Sequence, residues 1–70
     1  MKLNGAHLRA SRERANLTRS QLAAKAGISK ERVKQLEVGK SPGTRYETIL
    51  ALANALDIPF SDLSETEMVA

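Results

Sequence analysis

The sequence predicts an all-α fold of five short helices, on three observations. Apolar residues recur at the three- and four-residue spacing of a helix, while no stretch alternates with the period of two that marks a half-buried strand. Helix-starting residues (Thr, Ser, Pro) and helix-ending residues (Gly, Asn) punctuate the chain at short intervals. Cysteine is absent from the 70 residues, so packing alone must hold the fold, without disulfides or thiolate-bound zinc. A chain of this size forms one domain with a stability of roughly 3–5 kcal/mol unless its helices pack well or it pairs with another copy.

The first helix runs from about Asn4 to Ala15, with Leu8 and Ala15 facing inward, and Asn16 follows as a residue able to take the left-handed conformation that ends a helix. Thr18-Arg19-Ser20-Gln21 has the form of a capping box, and Leu22, Ala23 and Ala26 give the second helix its apolar stripe before Gly27 stops it. After Ile28, Ser29 caps a third helix over about Lys30 to Val38, closed by Gly39. Ser41-Pro42-Gly43 is a loop. Thr44-Arg45-Tyr46-Glu47 reads as a second capping box, opening a fourth helix that carries Tyr46, Ile49, Leu50, Leu52, Ala53 and Leu56. Asp57-Ile58-Pro59 breaks that helix, and Phe60 to Leu63 forms at least one further turn. No strand is expected. The domain spans residues 1–64, and the acidic residues 65–70 form a frayed tail.

Charge is divided unevenly along the chain. All eleven Lys and Arg lie at or before Arg45, where the only acidic residues are Glu13, Glu31 and Glu37, a local balance of +8. From Tyr46 onward five acidic residues stand without a base, a balance of −5. The basic part is a candidate polyanion surface, although segregation alone is equally compatible with ordinary solvated charge. With only Tyr46 and Phe60 as aromatics, base-stacking platforms for single strands are not expected, so a nucleic-acid partner would be double-stranded. Neither a signal peptide nor a membrane span is legible, which makes the cytoplasm the expected compartment. The lone His7 cannot assemble a metal site, and no nucleophile–base pair is visible, so no metal, cofactor or enzyme chemistry is expected.

Two short helices joined by a tight glycine turn, the second with a polar outer face, have the geometry that places a recognition helix in a major groove. Ala23 permits a close helix crossing, Gly27 supplies positive φ, and Ile28, Val33 and Leu36 seat the third helix. At about 100° per residue, with Val33 and Leu36 buried, Glu31, Lys34 and Gln35 point away from the core, with Lys30 and Arg32 on the flanks. Lysine can donate to guanine, glutamine can pair with adenine, and glutamate can accept from cytosine. Lys30, Glu31, Lys34 and Gln35 are therefore the candidate base readers.

Leu8-Arg9-Ala10-Ser11-Arg12, Leu17-Thr18-Arg19-Ser20-Gln21-Leu22-Ala23, Ala26-Gly27-Ile28-Ser29, Val33 to Lys40 with its Leu-Glu-x-Gly-Lys ending, Ala51 to Leu56, and Asp62-Leu63 together resemble the helix-turn-helix of lambdoid phage repressors and Cro proteins, also called the XRE type. The resemblance covers nearly the whole chain. It implies a five-helix lambda-repressor-like DNA-binding domain and a transcriptional regulator, most often a repressor, bound as a homodimer to a near-palindromic operator. It departs from the family at Asn16, where glycine is frequent, and at Val38, where a polar residue is common. It also implies phosphate contacts by Arg19, Lys40 and Arg45, with Ser29 and Arg32 as further phosphate candidates beside the third helix. Arg12 and Glu37 occupy positions that the family pairs as a partly buried salt bridge, which assigns them to structure. The expected dimer contact is the region of Ile58, Phe60 and Leu63. The alternative is a protein-interaction module on the same fold, such as an antitoxin or accessory factor, for which the late apolar residues would supply the surface.

Overall fold

Residues 2–39 and 43–65 are described by a computed structural model, and their apolar side chains converge on one core of Leu8, Leu22, Ala23, Val33, Leu36, Ile49, Leu52, Ala53, Leu56 and Leu63. The elements in order are β1 (Lys2–Leu3), α1 (Gly5–Arg14), α2 (Arg19–Ala26), α3 (Lys30–Glu37), α4 (Tyr46–Leu56), α5 (Phe60–Leu63) and β2 (Ser64–Glu65). The fold is all-α apart from one pair of two-residue strands. No helix among the described residues is long and apolar enough to cross a membrane.

Helix α1 starts because the Asn4 side-chain oxygen accepts from the His7 amide at 3.0 Å, and it ends before Asn16, which takes positive φ (58°). Its inward face is Leu8 with Ser11 and Arg12. Ala15, expected inward, is exposed instead: the helix stops at Arg14, and Ala15 sits at the C-cap off the helical stripe. Helix α2 has the full capping box. Thr18 N–H donates to Gln21 Oε1 at 2.8 Å, and Gln21 N–H donates to Thr18 Oγ1 at 3.1 Å. Gly27 then turns the chain with φ of 74°, the Ile28 amide returns to the Ala23 carbonyl at 3.0 Å, and Ser29 Oγ accepts from the Arg32 amide at 3.1 Å to open α3. The turn between α2 and α3 is thus satisfied on both sides by local bonds.

Helix α4 lacks the capping box expected from Thr44. The helix begins at Tyr46 with Arg45 as N-cap, which places buried Thr44 one position too early to cap it. The Arg45 carbonyl accepts from the Thr48 amide instead, at 3.1 Å. Ile49, Leu52, Ala53 and Leu56 face the core, Leu50 is half-buried, and Tyr46 remains 50% exposed. Asp57 ends α4 in the left-handed conformation, and after Pro59 the short α5 delivers Leu63 to the core.

Two features were not legible as elements. β1 and β2 pair antiparallel, with Lys2 opposite Glu65 and Leu3 opposite Ser64, and the Asn4 amide extends the ladder to the Leu63 carbonyl at 2.8 Å. Two-residue segments are too short to show alternation, so the expectation of no strand is corrected here. Ser64 and Glu65 are accordingly part of the folded unit, and residues 66–70 of the expected tail lie outside the described residues. The second feature is Gly5, against which the end of α3 lies backbone to backbone: a Cβ there would fall 2.4 Å from the Leu36 carbonyl oxygen and 2.8 Å from that of Glu37.

That contact sets a test. Gly5→Ala should lower stability by about 1–3 kcal/mol through overpacking against backbone that cannot step aside. Gly43→Ala, at a glycine with nothing within 4 Å of an added Cβ, should stay within about 0.5 kcal/mol of the wild type in the same urea titrations. Equal midpoints for the two variants would show that α1 and α3 do not approach this closely.

Candidate nucleic-acid interface

The surface of α3 follows from its sequence. Val33, Leu36 and Glu37 are buried, whereas Glu31, Lys34 and Gln35 are exposed on the opposite side and Lys30 is exposed on the flank. Three side chains that can meet base edges therefore share one outward ridge, with Lys30 beside it, on a helix whose inner side is locked in the core. Arg32, on the flank, is half-buried and engaged within the protein. Ser29 spends its oxygen lone pair on the α3 cap, which leaves its hydroxyl proton to donate elsewhere. Arg45 is exposed at the entrance of α4. Lys40 lies outside the described residues.

Below that ridge, three helices meet on one carboxylate. Arg12 Nε donates to Glu37 Oε2 at 2.6 Å and its Nη2 donates to Oε1 at 3.3 Å, while Arg12 Nη1 holds the Leu17 carbonyl at 2.8 Å. Arg19 Nε donates to the same Oε1 at 3.0 Å. The Glu37 side chain is only 1% exposed, Arg12 is 11% exposed and Arg19 is 31% exposed. Sequence reasoning brought Arg12 toward Glu37 through the family resemblance, but it missed the bond from Arg19, which it had assigned to phosphate alone. No local pattern could reveal it, since the two residues stand 18 apart on different helices.

The region expected to form a dimer contact needs one correction. Leu63 is 0% exposed and belongs to the core of a single chain, because α5 turns it inward. Ile58 and Phe60 are half-buried, and the Phe60 ring lies 4.8 Å from that of exposed Tyr46, so these two rings pack together at the surface. An open groove of about 230 Å³ is lined by Ser11, Arg14, Ala15, Leu56 and Ile58, a set without an acid–base pair. Among the described residues no group of three or more His, Asp or Glu is placed to hold a metal ion.

A family model described as a helix-turn-helix domain matches residues 5–65. The chain belongs to the helix-turn-helix family. Within it, the chain is of the lambdoid repressor and Cro type. It is 42% identical over 59 residues to the HTH-type transcriptional repressor RghR of Bacillus subtilis (strain 168), which covers 84% of this chain and 44% of that protein. The helix-turn-helix chain thus spans less than half the length of this curated relative. Among solved structures it is similar to the restriction-modification controller protein C.AhdI from Aeromonas hydrophila, with a TM-score of 0.79, 33% identity, and coverage of 83% of this chain and 86% of that one. C.AhdI thus supports the fold over most of both chains.

The shared carboxylate makes a measurable claim. Removing Glu37 alone should cost about 3–5 kcal/mol, because it leaves the buried Arg12 charge unpaired, and removing Arg12 alone should cost less, because Arg19 still holds the acid. Arg19→Ala should cost about 1 kcal/mol or less, since its guanidinium is partly in water and Arg12 still holds the acid. Denaturant titration of the single variants and of the Arg12–Glu37 double variant checks this. A double-variant loss equal to the sum of the singles would deny the coupling.

Proposed function

We propose that this chain is a sequence-specific duplex-DNA-binding regulator of transcription, acting as a repressor, that places α3 in the major groove. The observation that carries this reading is the exposed ridge of Glu31, Lys34 and Gln35, flanked by exposed Lys30, on a helix fixed from behind. Lys34 and Gln35, in the middle of the ridge, are the chief base readers, with Lys30 and Glu31 at the leading turn. Arg19, Ser29, Arg32, Lys40 and Arg45 hold the phosphate backbone around it. Arg19 and Ser29 also serve the fold, so Arg45 is the cleanest of these contacts to test.

The regulator acts in the cytoplasm as a homodimer on a near-palindromic operator, its two copies meeting through Tyr46, Ile58 and Phe60. The paired rings of Tyr46 and Phe60 and the half-buried Ile58, apolar surface on so small a chain, support that assembly. The operator then carries two half-sites about one helical turn, roughly 10 base pairs, apart. Both the repressor relative and the fold of the controller protein support the regulatory reading.

Selection of bound sequences from a random duplex pool at physiological salt should enrich such a paired motif. Against the selected operator, the log–log salt slope should be roughly −4 to −7, as expected for about 5–8 phosphate contacts per dimer. Lys34→Ala should lose about 1–3 kcal/mol on that operator but little on a duplex altered at the contacted base pair. Arg45→Ala should weaken all duplexes alike and reduce the slope by about one per half-site. No enrichment together with a flat slope would sink the DNA reading and leave the protein-interaction module in its place.

A further inference from the structure

One carboxylate held by two guanidiniums is out of balance by a unit of charge. Fold stability accounts for the first arginine: Arg12 takes both oxygens of Glu37 and the Leu17 carbonyl, fixing the acid where water scarcely reaches it. Arg19 adds little to that stability. It touches the carboxylate through Nε alone, at 3.0 Å, and its side chain stays 31% exposed beside an acid that is 1% exposed. A guanidinium is a rigid plane, so a bond from its Nε edge to a fixed acceptor sets the direction of both Nη groups. Those Nη groups have no acceptor among the described residues.

We propose that Glu37 is a positioning residue for DNA binding: through its bond to Arg19 Nε it holds the Arg19 guanidinium ready, Nη groups outward, for a backbone phosphate at the entrance of α2. The proposal rests on the duplex-binding reading above and gives the buried acid a task besides stability. A flexible arginine gives up rotamer freedom when it fixes a phosphate, whereas one already bonded to Glu37 has given it up on folding. The acid does not repel the phosphate, because two guanidiniums leave the cluster with a net positive charge. Lysine cannot replace arginine here. Its single ammonium is a point charge on a flexible stem and lacks the fork that serves an acceptor on each edge.

The test compares Arg19→Lys with Arg19→Ala, using Arg45→Ala as a reference, on the selected operator and on a random duplex at several salt concentrations. Arg19→Lys keeps both the charge and the Arg12–Glu37 pair, so it decides the question even if a change at Glu37 unfolds the chain. It should lose roughly tenfold in affinity for both duplexes, close to the loss of Arg19→Ala, with base preference unchanged, whereas the salt slope should shrink by about one per half-site in Arg19→Ala. Glu37→Gln, measured where its helix signal shows it folded, should cost a similar factor with Arg19 present and nothing further in the Arg19→Ala background. An Arg19→Lys variant that binds like the wild type, while Arg45→Ala weakens binding, would overturn the positioning role and leave the duplex reading standing. Losses from Glu37→Gln and Arg19→Ala that simply add would also overturn it. A wild-type protein without affinity for any duplex would remove both.

Discussion

The arrangement of the first three helices depends on the Glu37 carboxylate. Apolar burial is non-directional and would let α3 roll or slide against α1 and α2 while keeping Val33 and Leu36 covered. Bonds from Arg12 on α1 and Arg19 on α2 to the last residue of α3 remove that freedom, because each requires a particular direction at the acid. Burying a charge is costly, and an apolar substitute of the same volume could well be as stable. What the ion cluster adds is orientation, and orientation decides where the exposed ridge of α3 points.

The same end of α3 is also fixed through the backbone. Its last carbonyls lie against Gly5, so the contact that settles the distance between α1 and α3 has no side chain on one side. The opposite end is set by Gly27, Ile28 and the Ser29 cap. Thus α3 is held at both ends by short-range geometry and along its length by the core. A rigid support of this kind is what a reading surface needs, since side chains that must meet base edges tolerate little misplacement.

Sequence alone gave access to the parts whose physics is local. Thr18 with Gln21, Gly27, Ser29 and the spacing of Val33 and Leu36 each announce a cap, a turn or a face within a few residues, and α2 and α3 could be placed from them. Where a position depends on residues distant in the chain, the reading failed. Nothing near Gly5 signals that α3 will abut it, and nothing near Arg19 signals the acid at Glu37. Thr44 has the right neighbours for a capping box, yet the helix begins at Tyr46, beyond the reach of its hydroxyl. Leu63 is apolar and late in the chain, which fits an interface as well as a core until α5 is seen to turn it inward. The outward ridge of α3 was legible because helical periodicity fixes it, whereas the division of Arg19 between fold and surface was not.

The pairing of β1 with β2 has a consequence for modular use of the domain. Lys2 and Glu65 are partners across an antiparallel ladder, so the polypeptide enters and leaves at neighbouring points, with Cα atoms roughly 5 Å apart. A few linking residues could therefore join these two points. The domain could likewise be inserted whole into a surface loop of another protein, which would need to widen by little more than the gap between two strands. A helix-turn-helix domain with its entry and exit side by side is in this sense a plug-in unit.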